Sequence, residues 1–215
     1  MSERDDSPAL WRGLDLGALR KKLAQRPRRS VRVEGYRESA VLVPLLVPAA
    51  EGEAARTAEL LYTVRQPTLP THAGQIAFPG GKRDPEDTSP HDTALREASE
   101  EVGIPGDAVS VLGLLDDIAT PLGFVITPVV GAVRWPLELL PSQAEVAEVF
   151  TVPLPSLPTV YRNGGEAVWR GYHYTMHEFH VETRRIWGAT AAITMQLLDL
   201  LDLVHLPPRN PDAPR

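Results

Sequence analysis

Two stretches of the chain are apolar at nearly every position: residues 40–48 (AVLVPLLVP) and residues 60–65 (LLYTVR). Runs of this kind predict strands buried on both faces. Shorter runs at 75–78, 109–116, 125–133 and 148–152 predict further strands, and 169–181 predicts one more or a hairpin. Leu16, Leu19 and Leu23 recur at helical spacing within 14–23. Residues 189–203 read as an amphipathic or buried helix, and residues 90–102 as a third. Pro67, Pro70 and Gly74 punctuate a loop. Many strands with two or three helices, not strictly alternating, predict an α/β fold in which helices sandwich a mixed β-sheet. No repeat, low-complexity tract or composition shift divides the chain. Residues 1–10 and the proline-rich stretch after His205 read as loose.

Composition narrows the function classes. The 215 residues are 43% hydrophobic and 23% charged, enough for a full core. The formal net charge of −6 argues against wholesale nucleic-acid binding, so no nucleic-acid partner is expected. It leaves room for an anionic substrate, because a divalent cation reverses the local sign of a site. With no cysteine, disulfides, thiolate chemistry and Cys-ligated zinc are excluded. No apolar run reaches the roughly 20 residues that span a bilayer, and the charged N-terminus lacks an apolar signal core. The C-terminus is no receptor-read address. The expected setting is cytoplasmic, away from membranes.

The chemistry concentrates in residues 80–104, GGKRDPEDTSPHDTALREASEEVGI. Ser89 is a suitable N-cap, Pro90 suits the first helical position, Asp92 completes a variant capping box, and Gly103 suits the residue just past the end. At about 100° per residue, Glu97, Glu100 and Glu101 share one face, while Leu95, Ala98 and Val102 share another that can pack on a sheet. Three neighbouring carboxylates repel one another, and they stand near the helix C-terminus, where the macrodipole disfavours negative charge. A solvated acidic face is the bland explanation. The flanking Phe78-Pro79-Gly80-Gly81 favours a metal site instead, because glycine lets backbone approach the carboxylates closely. Mg²⁺ or Mn²⁺ suits such oxygen ligands. Arg96, four residues before Glu100, can orient that carboxylate.

This stretch resembles the Nudix box, G-x5-E-x7-R-E-U-x-E-E-x-G-U with U aliphatic. Residues 96–104 match its second half, with Ala98 at the first U. The first half departs. Counting back from Arg96 puts the box glycine at Lys82 and the early glutamate at Thr88, whereas Gly81 and the acids Glu86 or Asp87 are the nearest matches. The loop is therefore one residue longer than the consensus. Around the box, residues 60–65, Leu69, His72, Gly74-Gln75 and 78–81 resemble the segment that precedes it in coenzyme A pyrophosphatases. Residues 127–131, 145–154 and 186–191 also resemble that subgroup. The likeness covers roughly residues 40–203. The basic residue often found between Arg65 and His72 is missing from Gln-Pro-Thr-Leu-Pro-Thr.

The resemblance implies a Nudix-type α/β/α sandwich over residues 31–205, with a basic helical extension at 1–30 and a loose tail at 206–215. It implies metal-dependent hydrolysis of the diphosphate of coenzyme A or a derivative, giving adenosine 3′,5′-bisphosphate and 4′-phosphopantetheine or its acyl form. Glu97, Glu101 and Glu100 are the expected metal ligands, completed by the carbonyl of Gly81. Glu100, Glu145 and Glu148 are alternative general bases, with Arg96 as an orienting group. Arg65, His72 and Gln75 are expected at the substrate. Arg65 has the alternative of a solvated strand end, and His72 that of a structural hydrogen bond. Trp187 is either an adenine platform or a core aromatic. Arg28 and Arg29, within a basic cluster from Arg20 to Arg32, either grip the 3′-phosphate or lie on a solvated face. A homodimer is left open. Rival readings are a Nudix hydrolase of ADP-ribose, dinucleotide cofactors or nucleoside triphosphates, a non-catalytic Nudix-like binding module, and an RNA-end hydrolase.

Overall fold

A computed structural model describes residues 14–48, 57–169 and 171–206. The expectations for residues 1–10 and for nearly all of the proline-rich tail lie outside the described residues. In chain order the elements are α1 (Leu16–Gln25), β1 (Arg37–Pro48), β2 (Glu59–Arg65), β3 (Ile76–Ala77), β4 (Gly80–Lys82) and α2 (Pro90–Val102). Then come β5 (Val109–Leu114), β6 (Ile118–Ala119), β7 (Phe124–Trp135), β8 (Val146–Pro153) and α3 (Leu157–Val160). The last four are β9 (Tyr161–Trp169), β10 (Tyr172–Val181), β11 (Arg184–Trp187) and α4 (Gly188–Leu200).

The two apolar runs lie at the centre of an eight-stranded mixed sheet. Its main path is β3-β2-β1-β7-β5, with β4 on β1, β6 on β7 and β8 on β2. β1 and β7 pair in parallel over their full lengths, and the other pairs are antiparallel. Alternation along β1 explains why the run is continuous. Ala40, Leu42 and Leu46 pack toward α2, with Ala94, Ala98 and Val102. Val43 and Leu45 pack toward the opposite layer of α1, α4 and the three-stranded sheet β11-β10-β9. Both faces are covered, so neither face of the strand needs polar residues. The result is the expected three-layer α/β/α sandwich. Among the described residues, no helix is long and apolar enough to cross a membrane.

Tyr62 pins the layers together. It is fully buried, stacks between Phe78 at 4.8 Å and Phe150 at 5.5 Å, and shares a 3.1 Å hydrogen bond with Thr194 of α4. Four strands escaped the sequence pattern: β4, β6, β9 and β11. β4 reads as loop because two of its three residues are glycine. β9 reads as nothing because Arg162-Asn163-Gly164-Gly165-Glu166 breaks the alternation.

The basic cluster has a role that neither sequence reading anticipated. Asp15 caps α1, whose Leu19 and Leu23 are buried in the core shared with Leu112 and Leu115. The chain then crosses the ends of β5 and β7 as a strap. Arg26 meets buried Asp116 at 2.6 Å and donates to the Leu114 carbonyl. Arg28 donates to the Leu115 carbonyl and pairs with Asp117. Asp117 also accepts from the Val31 amide at 2.9 Å and from Thr127 at 2.7 Å. Removing its carboxylate strands a cation and two donors in a largely buried place. Asp117→Ala is expected to cost about 3 kcal/mol in urea unfolding. A loss within error of zero would show that the strap does not bear on stability.

Candidate active site

Local sequence builds α2 as expected. The Ser89 side chain accepts from the Asp92 amide, Pro90 opens the helix, and Gly103 closes it in the left-handed region at φ 73°. A side chain at Gly103 would collide with Leu140, whose amide donates to the Val102 carbonyl. The helix therefore ends against the segment that leads to β8.

The three carboxylates do not behave alike. Glu101 is buried, with its side chain only 4% exposed. It accepts from the Gly80 amide at 3.1 Å and from Arg65 at 3.2 Å. Glu97 lies directly against Gly81, where an added Cβ would stand 2.3 Å from one carboxylate oxygen and 2.6 Å from the other. Glu100 turns outward and is 58% exposed, held by Arg96 at 3.0 Å. Arg96 also meets Glu97 at 3.1 Å, the Lys82 carbonyl at 3.0 Å and Asp87 at 3.0 Å. Asp87 is thus the acid that completes the lengthened loop, and Arg96 holds its carboxyl down at about 2.

Burial pushes the Glu101 carboxyl up to about 7, against the opposing effects of the Gly80 amide and Arg65. Burial also raises Glu97, with Arg96 opposing. The charges of Glu145 and of neighbouring glutamates add to both shifts. Glu145 is therefore part of this electrostatic cluster. Glu148 is held elsewhere, by Arg184. It pairs across the sheet with Val64, one residue before Arg65, and so faces away from α2.

The remaining expected site residues are placed as follows. Arg65 stands at the end of β2 against Glu101, and its Nε is buried without a hydrogen-bond partner. His72 and Gln75 hydrogen-bond each other at 2.7 Å in the loop that returns to Arg65. Arg28 and the Arg29 backbone belong to the strap, where Arg28 meets Asp117 and the Leu115 carbonyl and the Arg29 amide meets Asp116. Trp187 is 46% exposed, so it is not a core aromatic. Sequence reasoning missed the Gly80 amide as a donor to Glu101, although Gly80 lay within the quoted motif.

As the side chains stand, no three His, Cys, Asp or Glu residues among those described form one metal-holding group. Glu97 and Glu101 face β4, while Glu100 faces Arg96. The pair still fits a hard divalent cation. Its donors are carboxylate oxygens, and glycine leaves the space beside them free of side chains. Among the described residues, the carboxylates Glu97, Glu100, Glu101 and Glu145 stand against two guanidinium groups, Arg65 and Arg96.

Comparison with known proteins identifies the family. The NUDIX domain model matches residues 39–178. The chain belongs to the Nudix hydrolase family. It is 41% identical over 165 residues to an uncharacterized Nudix hydrolase NudL of Photorhabdus laumondii, covering 76% of this chain and 84% of the relative. A NudL of Klebsiella pneumoniae is 39% identical over 181 residues, covering 80% and 86%. The crystal structure of a Nudix hydrolase from M. smegmatis, RenU, shares the fold, with a TM-score of 0.53 at 21% identity, covering 83% of this chain and 94% of that one. Nudix hydrolases act on small nucleotide derivatives and generally use divalent metal ions.

The raised Glu101 carboxyl has a consequence for stability in the metal-free Nudix hydrolase. A carboxyl with a folded pKa above its unfolded value contributes stability that is complete below the unfolded pKa and lost as pH rises through the folded one. For Glu101 that window runs from 4.5 to about 7. Unfolding free energy should fall across it by on the order of 3 kcal/mol. Glu101→Gln should flatten the fall, measured by urea denaturation across the window. A fall of equal steepness in the variant would refute the assignment.

Proposed function

We propose that the protein hydrolyses the diphosphate linkage of coenzyme A or a derivative, releasing adenosine 3′,5′-bisphosphate and 4′-phosphopantetheine or its acyl form. One observation carries the substrate reading. Segments that resemble coenzyme A pyrophosphatases, at 60–65, 78–81 and 145–154, come together around the glutamates of α2. Arg65 and Gly80 touch Glu101, Gly81 touches Glu97, and Glu145 adds its charge to both.

Glu97 and Glu101, with the Gly81 carbonyl, would hold Mg²⁺ or Mn²⁺, which neutralises diphosphate oxygens and makes water a better nucleophile. Arg65 retains donor capacity for a phosphate oxygen, since its Nε has no partner. Glu145 accepts the proton of the attacking water. It is charge-coupled to the buried pair, whereas Glu100 is tied to Arg96 and Glu148 to Arg184. Arg96 fixes the loop and the helix relative to each other.

Incubation with Mg²⁺ or Mn²⁺ and, in parallel, coenzyme A, dephospho-coenzyme A, ADP-ribose and NADH tests the reading. Fastest release of the bisphosphate from coenzyme A, abolished by chelator, is the expected result. Faster cleavage of ADP-ribose or NADH would keep the reaction and reject the substrate. Glu97→Gln and Glu101→Gln should each lower kcat by about 100-fold or more while remaining folded. Glu148→Gln should stay near the parent rate. A slow Glu148→Gln beside a fast Glu145→Gln would reverse the choice of base.

A further inference from the structure

Glu145 lies in the short segment that joins β7 to β8 and has no helix or strand of its own. Its beginning is tied to the helix: the Leu140 amide donates to the Val102 carbonyl at 3.0 Å, and the Ser142 amide to the Glu101 carbonyl at 2.9 Å. Its end closes in a turn, the Glu145 and Val146 amides donating to the Ser142 carbonyl at 3.0 and 2.8 Å, and is tied across to Gln66. The Gln66 amide donates to the Glu145 carbonyl at 2.8 Å. The Gln66 carboxamide donates to the Gln143 carbonyl at 2.9 Å and to the Val146 carbonyl at 3.3 Å.

The placement has a physical cause. The pairing of β2 with β8 slips between Val64 and Arg65: Val64 pairs with Glu148, but Arg65 pairs with Val146. A slip of this kind interrupts the ladder and leaves backbone groups without strand partners. Gln66 stands next to it, and both carboxamide hydrogens go to carbonyls on either side of Glu145. The preceding residue, Arg65, holds Glu101. One end of β2 thereby sets both the buried carboxylate and the segment carrying the outer one.

We infer that Gln66 is a positioning residue: it clamps residues 143–146 and so fixes the backbone that carries Glu145. The inference rests on the reading of Glu145 as proton acceptor. Gln66 acts through Glu145 and touches no substrate. A side chain that merely filled the surface would have no reason to bracket Glu145 in this way.

The test uses the full chain with Gln66→Met, which keeps the length and removes the donors, alone and combined with Glu145→Gln. Amide hydrogen exchange across residues 142–146 and thermal unfolding are measured without metal. Values of kcat and KM are measured with coenzyme A, or with whichever dinucleotide substrate is cleaved fastest. Gln66→Met should speed exchange in 142–146 with little change elsewhere. It should lower kcat about tenfold and leave KM nearly unchanged. In the Glu145→Gln background the same change should cost less than about twofold, because the group it positions is already gone. Unchanged exchange beside a slow Glu145→Gln overturns the clamp and leaves the base in place. Multiplicative losses in the double variant also overturn it. Full turnover by Glu145→Gln overturns the base, and the role of Gln66 with it.

Discussion

Two carboxylates packed against bare backbone set the terms for the rest of this protein. Gly80 brings β4 too close to the β1 backbone for a side chain to fit, and at Gly81 a side chain would have to displace the Glu97 carboxyl. A Cβ at Gly80 would stand 2.5 Å from the Ala40 carbonyl oxygen, and one at Gly81 would overlap the Glu97 carboxyl. Because β4 pairs with β1 at Ser39–Val41, the closeness is set by the main sheet. Burying carboxylates there is unfavourable, and the raised pKa values of Glu97 and Glu101 express that cost. The fold tolerates it with one backbone amide and two arginines, which do not balance the local charge. A site left short of positive charge and built of hard oxygens is suited to a divalent cation and an anionic substrate.

Arg96 explains how the variant loop keeps the helix in place. Its guanidinium reaches the Lys82 carbonyl, Asp87, Glu97 and Glu100, so a single side chain joins the loop after β4 to both kinds of carboxylate on α2. The extra loop residue is taken up locally. The Asp87 amide returns to the Asp84 carbonyl, the Asp87 carboxylate accepts from the Asp84 amide, and Arg83 donates to the Asp87 carbonyl. This tight turn brings an acid at position 87, not 88, to Arg96. The consensus spacing is altered while the ion pair that closes the loop is present.

What could be read in the sequence follows the range of the forces involved. The ends of α2 were legible because Ser89, Pro90 and Gly103 act within a few residues of themselves. The buried strands were legible because both faces of β1 and β2 meet apolar layers. The shared face of Glu97, Glu100 and Glu101 was legible too, but not their divergence, which depends on Gly80, Arg65 and Arg96 in space. The ion pairs of the basic segment after α1 were not legible for the same reason. Its partners, Asp116 and Asp117, lie almost ninety residues away, and nothing in the local pattern joins them.

The partition of Glu145 and Glu148 shows how a distant contact decides chemistry. Alternation alone says that strand residues three apart face opposite sides, so no regular strand can offer both acids to one site. It does not say which one faces α2. Tyr62 decides. Its ring stacks on Phe150 and its hydroxyl reaches Thr194, so Phe150 must lie on the α4 side of the sheet. Glu148, two residues earlier on β8, shares that side and finds Arg184, whose guanidinium also covers the Phe150 ring. Glu145, before the strand begins, is released from the alternation and can turn toward α2. An aromatic contact in the core on the far side of the sheet thus sets the side that Glu148 takes, away from the carboxylates of α2.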